Sequence, residues 1–313
     1  MKTTAYANPL QGILLKVLSV LIFVCMSTLI KLAGAEIPIG QVTFFRSAFA
    51  IFPILAFLAL RGQLVTAFRT DNVPGHIGRG FIGILAMSLG FYGLRYLPLP
   101  EAIAIGYAMP LITVVFAAVF LKETVRLYRW SAVMVGLTGV LIIVWPRLTL
   151  FDEGAMDAAA AFGAVAVLLS ATFGAVAMML VRKLIQTEKT HTIVLYFSVS
   201  ASVFSLATVP FGWAPLSAYS ALLLIAAGFC GGVAQILLTE CYRHADVSTI
   251  APFEYTSILL GMVFGYWLFD DVPTAVMLIG TAIVVSAGIF IIFREHRLGL
   301  ERKKARKSMT PQG

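Results

Sequence analysis

The chain has 313 residues, of which 60% are hydrophobic and 12% are charged, and its formal net charge is +8. A soluble domain contains about 45–50% apolar and about 25% charged residues, so a protein this apolar could not cover its own surface in water. The composition therefore excludes a soluble protein and predicts an integral membrane protein, whose outward face is solvated by lipid.

Ten apolar segments follow one another along the chain, each close to the roughly 20 residues that cross ~30 Å of hydrocarbon. They span residues 12–33, 38–60, 77–96, 98–121, 128–146, 157–181, 192–212, 215–242, 247–269 and 274–293. The first is too long for the apolar part of a signal peptide, so it counts as a span. The predicted fold class is an all-α membrane protein with ten transmembrane helices.

Positive charge concentrates in alternate connections between these segments. With the N-terminus in the cytoplasm, eighteen of the 23 Lys and Arg residues fall on the inner side, Arg79 among them, and three fall outside. Cytoplasmic loops of membrane proteins are enriched in Lys and Arg. The distribution therefore predicts ten spans, an inner (plasma) membrane location and both termini in the cytoplasm.

The C-terminal tail, residues 294–313, carries seven of the basic residues. Basic clusters beside a membrane helix attract anionic lipid headgroups, so we expect this tail to lie on the bilayer surface. Binding of nucleic acid is excluded, because the chain offers no folded soluble face for it. The sequence leaves open whether the protein is a monomer or a homodimer.

The first half of the chain aligns with the second at an offset near 150 residues. The matched pairs are Ser19 with Ser170 at offset 151 and, at offset 148, Gly83 with Gly231, Ala86 with Ala234, Tyr107 with Tyr255, and Lys122-Glu123 with Asp270-Asp271. Such matches predict two five-helix repeats, residues 12–146 and 157–293. Because five is odd, the two halves have opposite orientations, a recurring plan among secondary carriers.

Two charged residues fall near the middle of predicted spans, where charge is costly and often functional. Arg46 lies in the second span and Glu254 in the ninth. One hypothesis makes them a substrate or proton site, with Arg46 facing an anionic or carbonyl group. The alternative is a structural ion pair between helices, for which the two residues are candidate partners of each other. Lys16, near the inner end of the first span, is expected to extend to the water boundary.

Three tyrosines and a glutamine complete the candidate substrate-binding residues. Tyr107 and Tyr255 occupy matched positions in the fourth and ninth spans, and Tyr92 lies in the third. A planar ligand can stack on such rings, whereas ordinary helix packing is the alternative explanation for each ring. Gln235 in the eighth span is a candidate polar residue of the cavity wall.

Other functional classes find little support in the sequence. The chain has no Gly-x-x-x-x-Gly-Lys-Ser/Thr loop, so ATP-driven transport is not expected. A membrane-embedded enzyme would need clustered His, Asp or Glu, but the four histidines are scattered among the connections and the tail. A channel would need a polar pore stripe, and none is evident. We therefore expect a small-molecule substrate, with no catalytic residues, metal or cofactor.

Motifs in the third to fifth spans resemble those of the drug/metabolite transporter superfamily, in its branch with two EamA domains. They are Gly93–Pro98, Glu101-Ala102, Met109–Leu111, Phe120–Glu123 and Gly136–Val140. The resemblance implies ten helices in two inverted halves around a central cavity, with the fifth and tenth helices at the periphery. Within the superfamily the chain resembles riboflavin carriers and S-adenosylmethionine uptake carriers. Riboflavin uptake is the first expectation, and amino-acid or drug efflux is a further alternative.

Overall fold

The structure is a computed structural model that describes residues 9–120, 122, 125–148, 155–245 and 247–308. The helices are α1 (Pro9–Ala33), α2 (Ile39–Leu60), α3 (Leu64–Ala67), α4 (Val73–Tyr96), α5 (Leu99–Gly106), α6 (Ala108–Phe120), α7 (Leu127–Leu148), α8 (Ala155–Leu184), α9 (Thr190–Leu206), α10 (Ala218–His244), α11 (Val247–Ile250), α12 (Thr256–Phe269) and α13 (Ala275–Ser308). Two 3₁₀ segments occupy Val209–Phe211 and Ala251–Tyr255. Of the predicted features, Leu121, Glu123 and residues 309–313 of the tail lie outside the described residues.

Eight of the described helices are long and apolar enough to cross a membrane, with α5 and α6 counted together. α9 is also apolar but has only 17 residues. Many large apolar side chains on these helices are exposed, among them Phe52, Val135 and Phe290. Exposed apolar surface on this scale fits helices that are solvated by lipid. The architecture is that of a helical multi-pass membrane protein.

The fourth predicted span, 98–121, is divided at Tyr107 into α5 and α6. Pro110 lies four residues after Gly106 and has no N–H, so the α-helical hydrogen bond to the Gly106 carbonyl cannot form. At the same point the N–H of Tyr107 donates to the carbonyl of Ala104, three residues earlier, at 3.2 Å. This bond tightens the last turn of α5. The proline therefore explains why this span contains two helices.

The ninth predicted span, 247–269, is not the single helix that the apolar pattern predicted. It consists of α11, the 3₁₀ segment Ala251–Tyr255 and α12, which has 14 residues. Pro252 accounts for the break, because it lacks an N–H and its ring clashes with the preceding helical turn. A 14-residue helix is only about 21 Å long, less than the hydrocarbon thickness, so α12 cannot cross alone.

Helices of the first half pack against helices of the second half in matched pairs. α1 packs on α10 and α8 on α4, α2 packs on α9, α5 on α12 and α7 on α13. The α7–α13 contact is close: a Cβ on Gly139 would lie 2.8 Å from the carbonyl oxygen of Gly280. Small residues permit this backbone approach, as is common between membrane helices.

Two serines make the same hydrogen bond in the α1–α10 and α8–α4 pairs. The Ser19 hydroxyl donates to the Ala234 carbonyl at 2.8 Å, and the Ser170 hydroxyl donates to the Ala86 carbonyl at 2.6 Å. The serines are those aligned at offset 151, and the alanines are those aligned at offset 148. The similarity of the two halves therefore extends to individual hydrogen bonds.

The ends of α6 and α12 share a backbone conformation that non-glycine residues seldom adopt. Lys122 has φ 52° and Asp270 has φ 54°, and within the described ranges no other non-glycine residue has a positive φ. These two residues were aligned at offset 148. Both halves therefore turn in the same way after their interrupted span.

Candidate substrate site

Arg46 is buried at the junction of α1, α2 and α10, with 8% of the residue exposed. It lies seven residues into α2, about 10 Å along the helix. Its Nε has no hydrogen-bond partner in the described part of the chain. A Cβ on Gly231 of α10 would lie 3.2 Å from that Nε and 2.9 Å from Sδ of Met26 on α1. The guanidinium therefore lies between three helices, without a counter-charge among these neighbours.

A second guanidinium inside the helix bundle belongs to Arg79 on α4. Its Cζ lies 3.7 Å from the centre of the Phe197 ring on α9, which is a cation–π contact. Its Nε and Nη1 are buried and have no hydrogen-bond partner within the described ranges. Arg46 is close enough for the two positive charges to repel each other. Arg79, counted above as a charge of an inner connection, thus lies within the bundle.

The aligned glycines Gly83 and Gly231 leave room for these two arginines. A Cβ on Gly83 would lie 2.8 Å from Nη1 of Arg79, just as one on Gly231 would approach Nε of Arg46. Separations below 3.0 Å essentially never occur for real Cβ atoms, so an alanine at Gly83 would displace the guanidinium or the Phe197 ring. Each half therefore uses the same glycine position to accommodate one guanidinium.

Glu254 does not pair with Arg46, but it forms a structural ion pair with Lys16 of α1, which is the alternative explanation with a different partner. Its Oε2 accepts a hydrogen bond of 2.9 Å from Nζ of Lys16. The Lys16 side chain is 2% exposed and the Glu254 side chain is 52% exposed. The expectation that Lys16 extends to water was therefore wrong, because the half-exposed carboxylate of Glu254 satisfies the charge of the buried ammonium.

Tyr107 and Tyr255 meet at the breaks in their two spans. Their ring centroids are 4.7 Å apart with an interplanar angle of 34°. The Tyr107 hydroxyl donates to the Glu254 carbonyl at 2.6 Å and lies 2.7 Å from Oγ of Ser257. The Tyr255 hydroxyl packs on Gly288, where any Cβ would overlap it. The matched tyrosines thus contact each other, and in this conformation they leave no gap for a planar ligand between their rings.

Tyr92 and Gln235 lie at different distances from the arginines. Tyr92 is thirteen residues after Arg79 on α4, about 20 Å along the helix, and its ring contacts Tyr96 at 5.0 Å between centroids. The structure therefore does not bring Tyr92 to the arginines. Gln235 is one turn after Gly231 on α10 and shares its face, so it is the nearer candidate.

Carboxylates at the ends of the surrounding helices have partners of their own. Glu188 accepts a 2.7 Å hydrogen bond from the Thr70 hydroxyl, which holds the pKa of Glu188 below its usual value. Glu240 accepts hydrogen bonds from Arg61 at 3.0 Å and from Arg243 at 3.1 Å. Neither carboxylate is bonded to Arg46 or Arg79.

A second lysine of α1 joins three parts of the fold near the other end of the helix. Lys31 Nζ donates to the Leu97 carbonyl at 2.7 Å and to Oδ2 of Asp271 at 3.2 Å. The same Oδ2 accepts from the N–H of Leu99 at 3.0 Å. α1 is therefore tied by Lys16 to the break within the ninth span, and by Lys31 to Asp271 just after the end of that span.

Sequence reasoning missed Arg79 and its ring partner Phe197 as site candidates. Arg79 is the third residue of the predicted span 77–96, and a charge inside a span is the signal that would have identified it. Phe197 had no such signal, because it is one of 23 phenylalanines in an apolar chain. Its role depends on α9 packing against α4, which a single sequence does not report.

A family model for EamA-like transporters matches residues 10–145 and 161–294. The chain belongs to the EamA-like transporter family. The membership confirms the resemblance carried by the motifs of the third to fifth spans, and the two matched ranges confirm a two-repeat layout. Among solved structures, one crystal structure of a protein superposes with a TM-score of 0.65 at 18% identity, covering 92% of this chain and 98% of that chain. That likeness concerns the fold alone.

Relatives of this EamA protein are named for different solutes and for both directions of movement. The pseudopaline exporter CntI of Pseudomonas aeruginosa (strain UCBPP-PA14) is 31% identical over 283 residues, 89% of this chain and 95% of the relative. The riboflavin transporter of Vibrio cholerae is 28% identical, covering 91% and 93%. The S-adenosylmethionine uptake transporter of Rickettsia bellii is 25% identical, covering 85% and 88%. Each relative is named as a transporter, which agrees with a membrane transporter and not an enzyme.

Proposed function

We propose that this EamA protein is a secondary carrier that moves a small organic metabolite across the inner membrane by alternating access. The proposal includes ten membrane segments in two inverted halves, residues 12–146 and 157–293, with both termini in the cytoplasm. The matched hydrogen bonds of Ser19 and Ser170 are the observation that supports it best. Two similar halves can exchange conformations, so that outward-open and inward-open states have nearly equal energy.

The two lysine bridges of α1 suit this mechanism. Lys16 and Lys31 are fifteen residues apart, about 22 Å along the helix, and they contact the break within the ninth span and the connection just after that span. Movement of α1 away from either contact breaks one bridge without breaking the other. The bridges therefore allow one side of the bundle to open while the other side remains closed.

Riboflavin is the first substrate to test. The prediction came from the resemblance to riboflavin carriers, and one of the relatives bears that name. The carbonyl oxygens of its ring system are acceptors for buried guanidinium groups such as that of Arg46. S-adenosylmethionine, which is a cation, is the alternative for uptake. Among the described carboxylates, Glu254 at the span break is already paired with Lys16, which disfavours this cation.

The basic tail and the oligomeric state belong to the same proposal. α13 continues without interruption from the tenth predicted span to Ser308, so the tail is helical up to that residue. A basic helix that leaves the membrane is suited to binding anionic headgroups at the cytoplasmic surface. A monomer contains both halves of the carrier, and a homodimer is the alternative.

Growth rescue of a riboflavin auxotroph at low vitamin concentration tests the proposed substrate. We expect the chain to restore growth and to support uptake of radiolabelled riboflavin, with competition by unlabelled flavins but not by S-adenosylmethionine. If growth is not restored although the protein is present in the membrane at normal abundance, riboflavin is excluded as the substrate. Solute flux in proteoliposomes that contain the purified chain tests the carrier function separately.

A further inference from the structure

Buried polar atoms that lack a hydrogen-bond partner concentrate on α2, α4 and α9. Within the described residues of these helices they include Arg46 Nε, Ser47 Oγ, His76 Nδ1, Arg79 Nε and Nη1, His191 Nε2 and Thr192 Oγ1, whereas Thr281 Oγ1 lies apart on α13. His76 Nε2 also lacks a hydrogen bond in the described part of the chain but lies 3.7 Å from Oε2 of Glu188. Native proteins leave few such groups unpaired, because each costs free energy in an environment from which water is excluded. Their concentration on three adjoining helices indicates a site whose partners are supplied by another molecule.

The positive charge of Arg46 and Arg79 is further evidence that a ligand binds at these helices. Two like charges inside a membrane protein repel each other and lose their hydration, so they are normally paired with carboxylates. Glu188, Glu240 and Glu254, at the ends of the surrounding elements, are all bonded to other residues. The positive charge of the pair is therefore not balanced by these acids.

We propose that Arg46 and Arg79 form an anion-binding subsite, which recognises a carboxylate or phosphate group on the transported solute. The proposal rests on the carrier function proposed above and specifies the chemical class of its substrate. Guanidinium groups are planar donors that match both oxyanions in bidentate geometry, and they remain charged at any physiological pH. An anionic solute supplies the counter-charge that Glu188, Glu240 and Glu254 do not provide.

The surroundings of the two side chains fit a binding role. The ring of Phe197 covers one face of the Arg79 guanidinium at 3.7 Å and leaves the N–H groups in its plane available to a ligand. Gly83 and Gly231 keep Cβ atoms away from the two guanidinium groups. Gln235, one turn along α10 from Gly231, adds an uncharged donor and acceptor on the same face.

This subsite distinguishes among the named candidate solutes. Riboflavin, the first substrate proposed above, is uncharged and offers carbonyl, ring-nitrogen and hydroxyl acceptors but no oxyanion, whereas riboflavin 5′-phosphate carries one. The subsite therefore favours an anionic solute over riboflavin itself. Hydrogen bonds to charged groups are worth more than those between neutral groups. We therefore expect anionic compounds to bind more tightly than their uncharged analogues.

Direct binding to the purified full chain tests the proposal with radiolabelled citrate, riboflavin 5′-phosphate and riboflavin, at matched ionic strength. Citrate represents carboxylates and riboflavin 5′-phosphate represents phosphates, so the probe that binds more tightly identifies the oxyanion. We expect Arg46→Gln and Arg79→Gln each to weaken binding of that probe roughly 10-fold to 100-fold. Arg61→Gln is the matched control, because Arg61 follows directly after the last residue of α2, the helix that carries Arg46, but pairs with Glu240 at the surface.

Thermal unfolding of the unliganded variants separates a binding role from a structural role. Because Arg46 Nε and Arg79 Nε and Nη1 have no hydrogen-bond partner within the described residues, Arg46→Gln should leave the unfolding temperature unchanged or raise it. Arg79→Gln loses its contact with the Phe197 ring as well, so a small decrease is expected for that variant alone. Equal affinity for riboflavin and its phosphate in both variants and the unmodified chain would overturn the anion subsite, as would a lowered unfolding temperature in both variants. Either result leaves flux in proteoliposomes as an independent test of the carrier.

Discussion

Replacing Glu254 by glutamine is expected to destabilise the protein, because Lys16 then retains a buried charge without a counter-charge. The Lys16 side chain is 2% exposed, and its ammonium lies 2.9 Å from the Glu254 carboxylate. Removing one partner of a buried ion pair costs about 3–5 kcal/mol. Since the Glu254 side chain is 52% exposed, water screens the pair, and we expect a smaller loss of about 1–3 kcal/mol.

The converse substitution is expected to be milder. Lys16→Met removes the buried charge and leaves Glu254 in contact with water, so the free energy of unfolding should change by less than about 1 kcal/mol. The double variant Lys16→Met/Glu254→Gln should resemble Lys16→Met alone. Unfolding in mixed micelles of detergent and dodecyl sulfate supplies the four free energies of the double-mutant cycle. A larger loss for Lys16→Met than for Glu254→Gln would refute the reasoning from burial.

Four further substitutions test the fold, three by the same unfolding measurement and one by proteolysis. Ser19→Ala and Ser170→Ala remove equivalent hydrogen bonds between the halves and should cost similar amounts, about 0.6 kcal/mol each; losses that differ by more than about 1 kcal/mol would contradict that equivalence. Gly228→Ala should cost about 1–3 kcal/mol, because its Cβ would lie 2.8 Å from a carbonyl oxygen of α2, whereas Gly78→Ala, in open space, should not destabilise. Asp271→Asn should weaken the contact between α1 and the start of α5, seen as faster proteolysis there; unchanged proteolysis would count against that contact.

The features with regular spacing were accessible from the sequence. Apolar segments of membrane length and the offsets of 148 and 151 predicted a helical membrane protein with two similar halves. The offsets were informative because Ser19 and Ser170 make the same contact in the two copies. Residues that make equivalent contacts keep their spacing, and spacing can be read from one sequence.

Partners across the bundle could not be predicted. Glu254 bonds to Lys16, which is 238 positions away, and not to Arg46. Both pairings balance charge equally well, and the choice between them depends on how the helices are rotated about their axes. Arg79 was assigned to a connection for a related reason: its position near a span end does not reveal that its side chain packs on Phe197 inside the bundle.

The breaks in the fourth and ninth spans were also beyond the sequence pattern. Pro110 and Pro252 mark positions where a helical hydrogen bond is lost. Membrane helices tolerate prolines when neighbouring groups satisfy the freed carbonyls, so a proline alone does not decide between a kink and a full interruption. The contact between Tyr107 and Tyr255 depends on both interruptions and was therefore not predictable either.

Counterflow in proteoliposomes tests the central claim, transport by alternating access, most directly. Vesicles that contain the purified chain are loaded with unlabelled riboflavin, riboflavin 5′-phosphate or citrate, and the corresponding radiolabelled compound is added outside. A carrier predicts transient, saturable accumulation of label for at least one compound, stimulated by the unlabelled compound inside and reduced by Arg46→Gln. Transport by alternating access would be contradicted if label entered no faster than in protein-free vesicles. It would also be contradicted if the rate of label entry did not depend on the unlabelled solute inside.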